Sequence, residues 1–251
     1  MAVLLETHLH TVQASRCGRT PGREYPAYLK ERGYQGLIVT DHFFNGNSAV
    51  PRELPWKERV ALYASGYEDA LEGAKETDFK VFFGIEYNFE GDEYLIYGPD
   101  VKWLSEQDDI LSLSRKEVYE RVHEAGGIMV HAHPYRERGY LNTIHLTPSV
   151  CDGIEIYNAF NDDNMNALSY EYAQELKLPM SSGSDIHSFY DGPRGAVQLP
   201  EMPVSMLEYA EAFLRGEAVP MIVTEEGARR VTEVESLTKP VHGATLPIIR
   251  H

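Results

Sequence analysis

Thiols are scarce in this chain. Cys17 and Cys151 are the only cysteines among 251 residues. A disulfide framework is therefore excluded, and a chain of this length buries enough surface to need none. Long apolar runs are missing too. No stretch reaches the roughly 18 consecutive apolar residues of a membrane-spanning helix. The opening MAVLLETHLH shows neither a basic leader segment nor an extended apolar one. The expected setting is a reducing, cytoplasmic one with no membrane partner. Positive charge is also in short supply. There are 23 Lys and Arg against 39 Asp and Glu, a formal charge of −16. Such a surface repels a phosphate backbone, so long nucleic acid is not an expected partner. The acidic excess favours solubility. It also suits a protein whose carboxylates meet bound cations, which a formal count omits.

Internal repeats, low-complexity segments and Gly/Ser linkers are absent as well. What is present is strand alternating with helix, the pattern of a parallel sheet or barrel. Strands are predicted at Val3–His8, Gly36–Asp41, Val81–Glu86, Gly127–His133, Gly153–Tyr157, Pro179–Ser184 and Ala196–Leu199. Several are continuous apolar runs, as expected when both faces are covered. Helices are predicted at Tyr25–Arg32, Trp56–Glu76, Arg115–Ala125, Asn164–Leu176 and Pro203–Arg215. Seven strands with intervening helices predict an α/β fold of the barrel type over residues 1–223. Residues 224–251 are predicted to form an irregular C-terminal extension packed on it, with one or two extra strands.

The histidines fall at strand ends. His8 and His10 close the first predicted strand and His42 the second. Glu86 closes the third, and His131 and His133 the fourth. Asp185 and His187 follow the sixth. Residues i and i+2 of an extended strand point to one side, so each His/Asp-x-His pair presents two donors to one point. Parallel strands place their C-termini on one face, where sites form. These eight side chains are the candidate metal ligands. Imidazole with carboxylate suits zinc, manganese or iron, and two or three divalent ions are expected. His123, His145, His242 and His251 show no such placement.

In order and spacing, five segments resemble the PHP (polymerase and histidinol phosphatase) domain family. They are His8-Leu9-His10, Thr40-Asp41-His42, Glu86, Ala132-His133-Pro134 and Ser184-Asp185-Ile186-His187. The resemblance implies a distorted seven-stranded (β/α)7 barrel, a two- or three-metal cluster and phosphoester hydrolysis. It implies that His8, His10, Glu86 and Asp185 hold the first metal. Glu86 would bridge to a second, also bound by His133, and His42 and His187 would hold the third. Two departures from the family pattern stand out. Arg16 occupies the slot where the family often has His or Asp. No His follows Glu86 in Glu93-Tyr94-Leu95-Ile96-Tyr97-Gly98, and His131 is expected to replace it, with Glu93 as runner-up.

The activity expected from these residues is hydrolysis of a small phosphomonoester by a metal-activated water. Arg16, Arg19, Arg136 and Arg194 lie in strand-end loops and form a candidate phosphate cradle. Arg16 is also a candidate catalytic residue, its guanidinium standing in for the third ion. His187, Asp41 and Tyr135 are candidate general acids. Cys17 is read as a bystander. Glu155 and Asn158 are expected to orient a ligating histidine rather than bind metal. The alternatives are an amidohydrolase that cleaves C–N bonds and a non-catalytic metal- or ligand-binding module. The substrate and the oligomeric state are not legible.

Overall fold

The structure is a computed structural model that describes residues 2–243 and 245–251. The chain begins with β1 (Val3–Glu6), α1 (Tyr25–Lys30), β2 (Gly36–Val39), α2 (Trp56–Ala74) and β3 (Lys80–Phe83). It continues through β4 (Ile85–Phe89), β5 (Asp92–Tyr97), α3 (Val101–Ser105), α4 (Arg115–Glu124), β6 (Ile128–Ala132), β7 (Ile144–Leu146) and β8 (Gly153–Asn158). There follow α5 (Asp163–Leu176), β9 (Met180–Gly183), β10 (Arg194–Leu199), α6 (Met206–Leu214), β11 (Val219–Thr224), β12 (Gly227–Arg230) and β13 (Ile248–Arg250).

Helix starts follow local chemistry. Ser114 and Glu117 close a capping box at α4, Asp100 caps α3 and Ser205 caps α6. No helix among the described residues is long and apolar enough to cross a membrane.

The seven-stranded (β/α)7 barrel expected from the sequence is not what the chain forms. The strands make a six-stranded sheet, β12-β11-β10-β1-β2-β3, and a five-stranded one, β4-β5-β6-β8-β9. A two-stranded pair, β13-β7, completes the set, and no sheet closes on itself. Two causes are visible. First, the predicted strand over Val81–Glu86 is divided at Gly84. Its first half pairs with β2 and its second half with β5, in different sheets. Second, strand–helix alternation does not report direction. Helix α6 lies between β10 and β11, yet these strands are antiparallel. β4 and β5 form a hairpin with no helix at all. Its two turn residues, Glu90 and Gly91, have φ of 57° and 110°, as a two-residue hairpin turn requires.

The parallel runs β1-β2-β3 and β6-β8-β9 survive inside these mixed sheets. Leu5 and Val197 of the larger sheet share one buried cluster with Leu95 and Val130 of the smaller, sealed by Tyr209 and Phe213 of α6. That apolar packing holds the sheets face to face. The C-terminal ends of the parallel strands then open together at the opposite end, where the histidines lie.

Candidate metal centre

Glu86 is the hub. Its Oε1 lies 3.1 Å from His8 Nε2 and 3.3 Å from His133 Nε2. Its Oε2 lies 3.5 Å from His10 Nε2 and also contacts His42 Nδ1. Asp185 Oδ1 sits 3.0 Å from His10 Nε2 and 3.4 Å from His8 Nε2. Four sets of donor atoms each fall within 4.8 Å. They are His8/His10/Asp185, His8/Glu86/His133, His42/Glu86/Glu93 and His10/His42/His187. Seven of the eight predicted ligands are thereby brought together.

The surrounding residues set which atoms point inward. His8 Nδ1 donates to Glu155 Oε1 at 2.9 Å, so its Nε2 lone pair faces Glu86. Glu155 Oε2 also accepts from His133 N and Asn158 Nδ2, each at 3.0 Å. His10 Nδ1 meets Ser15 Oγ at 3.1 Å, and that hydroxyl donates to Asp41 Oδ1 at 2.6 Å. His10 Nε2 therefore also turns a lone pair inward. Close approach makes this possible: a Cβ on Gly183 would lie 2.5 Å from that of His8.

The arrangement is electrostatically incomplete as protein alone. His10 Nε2, His42 Nδ1, Glu86 Oε2 and Asp185 Oδ1 are buried and have no hydrogen-bond partner. Lone pairs facing lone pairs in a buried pocket cost free energy unless a proton or cation lies between them. The residues thus fit divalent cations. Burial lowers the His10 imidazole to about 3, and His42 and His187 push it the same way. Burial acts to raise Glu86, but His42, His8 and His10 outweigh it and hold the carboxyl well below its usual range. Asp185 is likewise held low, with His8 and Arg136 overcoming its burial.

Some expected residues lie elsewhere. His131 stays outside every donor set; its ring stacks on Tyr94 at 4.8 Å. The i, i+2 argument does not carry here because β6 ends at Ala132. His133 has φ of 31°, which turns it off the strand's alternation. Glu93, the runner-up, faces His42 and His133 at 3.9 and 3.6 Å. Glu93→Gln is expected to lower bound metal, whereas His131→Phe should leave it unchanged. Elemental analysis of the two variants checks this, and the reverse order would return His131 to the site.

Asp41 accepts from Thr11 N and Thr11 Oγ1, both at 2.7 Å, and from Ser15. It orients rather than faces the pocket, and burial raises its carboxyl to about 6. Tyr135 is buried, edge-on to Tyr172. Of the four arginines, only Arg136 reaches a proposed ligand: its Nη1 donates to Asp185 Oδ2 at 2.5 Å. Arg16 is exposed and bonds Ser48 O through Nε, and Arg19 is exposed. Arg194 is buried on Tyr28 Oη and the carbonyls of Gly192 and Tyr190. His123 and His242 pair with Asp152 and Glu171, and His145 pairs with His251.

Sequence reasoning did not anticipate Arg138, which holds Glu93. Cys17, expected to be a bystander, is half-buried. Burial raises that thiol, but His187 and His42 outweigh burial and bring it to about 6.

Glu6 was missed as well. It is fully buried and accepts from His8 N at 3.0 Å and Ser184 N at 2.9 Å, tying the two ligand-bearing segments. Burial raises its carboxyl to about 7, against hydrogen bonds from Ser184 and His8 that lower it. A carboxyl raised on folding contributes stability below its unfolded value and loses it as pH climbs through the folded one. Glu6→Gln should therefore gain stability relative to the parent between pH 4.5 and about 7. The full gain is on the order of 3 kcal/mol. Urea unfolding of the metal-free proteins at several pH values reads the difference; a pH-independent gap would contradict it.

The geometry can now be set beside known proteins. No family model matches the chain. Its fold matches a two-domain Bacteroides vulgatus protein that contains a predicted PHP-like metal-dependent phosphoesterase. The TM-score is 0.67 at 15% identity, over 94% of this chain and 69% of that one. The chain thus shares its fold with a protein that contains a PHP-like domain. A Bifidobacterium adolescentis protein to which a metal-dependent phosphoesterase role is ascribed shares the PHP-like fold less closely. Its TM-score is 0.52 at 17% identity, over 73% of this chain and 87% of that one. Over 103 residues the chain is 28% identical to the PolC-type DNA polymerase III of Mycoplasma genitalium. That match takes in 41% of this chain and spans only 6% of the polymerase.

Proposed function

We propose that this chain is a metal-dependent phosphoesterase acting on a small phosphomonoester. The observation that carries the reading is the convergence of unpartnered, buried imidazole and carboxylate atoms around Glu86. The PHP-like fold supports it. His8, His10, Glu86 and Asp185 would hold one ion, and Glu86, Glu93 and His133 a second. His42 and His187 would hold a third where one binds. Divalent ions held there would supply electrophilic activation and a water that ionises near neutral pH.

The chain's own residues do the rest. Arg136 lies half-buried beside Asp185, Asn158 and Asn161, where its planar donors suit phosphoryl oxygens. The leaving oxygen needs a proton. Asp41 is committed to Thr11 and Ser15, and Tyr135 is packed on Tyr172. His187 is the candidate that remains, and it reaches solvent. Its Nδ1 donates to Asp185 O at 2.7 Å and its side chain is 26% exposed. Without a third ion its Nε2 is free, and in that form we assign it as the general acid. The acidic surface, with 39 carboxylates against 23 basic residues, favours a small substrate over a polymer.

The test is a panel of phosphomonoesters, phosphodiesters, amides and lactones, assayed with zinc, manganese or iron. Turnover confined to phosphomonoesters is the expected result. Cleavage of amides or lactones alone would replace the reading with an amidohydrolase one. Metal uptake with no turnover at all would make the chain a binding module.

A further inference from the structure

Of the nine phenylalanines, all among the described residues, two are exposed: Phe160 and Phe189. Phe189 follows His187 by two residues and stacks on Tyr28 at 4.1 Å, so one face of its ring is covered. Phe160 stands edge-on to the His187 ring at 6.4 Å, with the two planes 89° apart. It is 55% exposed.

A single exposed apolar side chain needs no explanation by itself. This one is held in place. Phe160 N donates to Asn158 Oδ1 at 3.0 Å, Asn161 N to Asn158 O at 3.0 Å and Ala159 N to Gly183 O at 3.2 Å. Tyr190 packs against the ring at 5.2 Å and is itself fixed by its hydroxyl, which donates to Pro193 O at 2.8 Å. The same turn positions Arg136, which donates through Nη2 to Asn158 Oδ1 and through Nε to Asn161 Oδ1 at 2.7 Å. Phe160 thus sits between the two residues that orient the arginine offered to phosphoryl oxygens.

The pocket opens on this side. Among the proposed donors the His187 side chain is 26% exposed, against 11% for His42 and 6% or less for the others. The most open way out from a phosphoryl group at the centre therefore passes His187. This holds whether His187 gives a proton to the leaving oxygen or binds an ion. The part of the substrate beyond the ester oxygen emerges beside Phe160.

We infer that Phe160 is a specificity-determining residue, whose exposed ring is a platform for a planar aromatic group on the leaving portion of the substrate. The inference rests on the proposed phosphoester reading and narrows the substrate class within it. Aromatic rings attract one another in offset or edge-on contact beyond the area they bury, which an aliphatic group of equal size does not match. The platform is already pinned by backbone hydrogen bonds, so little ordering is left to supply on binding.

Matched substrate pairs test this. Phenyl phosphate and cyclohexyl phosphate differ in planarity at the ester oxygen. AMP and ribose 5-phosphate share the ester and differ by a base several bonds away. The parent protein is expected to favour the aromatic member of at least one pair. Phe160→Ala should shrink that preference by on the order of tenfold in kcat/KM, with metal content unchanged. Phe160→Trp should restore it, which separates loss of the ring from damage to the turn. The pair that responds tells whether the ring sits on the ester oxygen or beyond a sugar. A preference that survives Phe160→Ala, or turnover with no preference in either pair, overturns the platform and leaves the phosphoesterase reading intact. Calorimetric binding of phenylphosphonate and cyclohexylphosphonate to zinc-loaded protein reads the contrast without turnover. If no phosphomonoester is hydrolysed, a phenylphosphonate preference erased by Phe160→Ala keeps the platform while the hydrolytic reading falls. If the two phosphonates then bind equally, or neither binds, both fall.

Discussion

Glu86→Gln protein is expected to lose most of its bound divalent metal and to hydrolyse phosphomonoesters on the order of 10³-fold more slowly. The two carboxylate oxygens of Glu86 face four imidazoles, those of His8, His133, His10 and His42. An amide has one oxygen. Whichever way it is turned, its NH2 group faces two of those rings as a donor and repels a cation there. The same change should leave the metal-free fold standing, because the amide keeps one acceptor oxygen and offers a donor to the rings that face it. Glutamine is therefore expected to separate metal loss from unfolding. Elemental analysis, calorimetry and turnover read the three quantities on one preparation. Unchanged metal content in this variant would remove Glu86 from the centre of the site.

The second large effect concerns the metal itself. Chelation should lower the unfolding midpoint by on the order of 10 °C, and re-addition of zinc or manganese should restore it. An ion that binds only the folded state stabilises by about 4 kcal/mol at a thousandfold excess over its dissociation constant. For a chain of this size each kcal/mol moves the midpoint by about 2–4 °C. The donors are among the most deeply buried polar groups of the molecule: His8 and His10 are wholly inaccessible, and Glu86 nearly so. Removing the ions leaves like-signed lone pairs opposed across 3.0–3.5 Å in a buried pocket. Glu86→Gln should abolish most of this metal-dependent shift, so scanning calorimetry on both proteins links the two expectations. A midpoint indifferent to chelator and to added metal would contradict both.

Much of the site was legible because its chemistry is local to short segments. His8-Leu9-His10 converges as an extended pair should, both Nε2 atoms reaching Asp185. Glu86, His42, His133, Asp185 and His187 were chosen for their positions at strand ends, and the structure brings their donor atoms together. Glu155 was read as an orienting group, and it accepts from His8. Helix positions were readable to within a few residues because capping and apolar periodicity are written in neighbouring positions.

The errors share a different cause. Counting along a motif put Arg16 in the pocket, but its side chain is exposed and bonds Ser48 O. Alternation along a strand put His131 beside His133, but left-handed backbone at His133 ends the alternation. Arg16 and Arg19 are exposed, and Arg194 opens β10 and is buried on Tyr28, because a place near a strand end says nothing of side-chain direction. The barrel did not close because strand direction and sheet edge are settled by partners distant in the chain, such as Leu199 against Val3.

The amino-acid sequence by itself determined which donors exist, which short segments carry them and where helices begin. These depend on contacts within a few residues, where backbone geometry leaves few options. Only the tertiary structure decided that two open sheets pack face to face, that Arg16 turns out to Ser48, and that Glu86 stands at the hub. Those outcomes are set by pairings between residues tens to nearly two hundred positions apart, whose free energy no local pattern encodes.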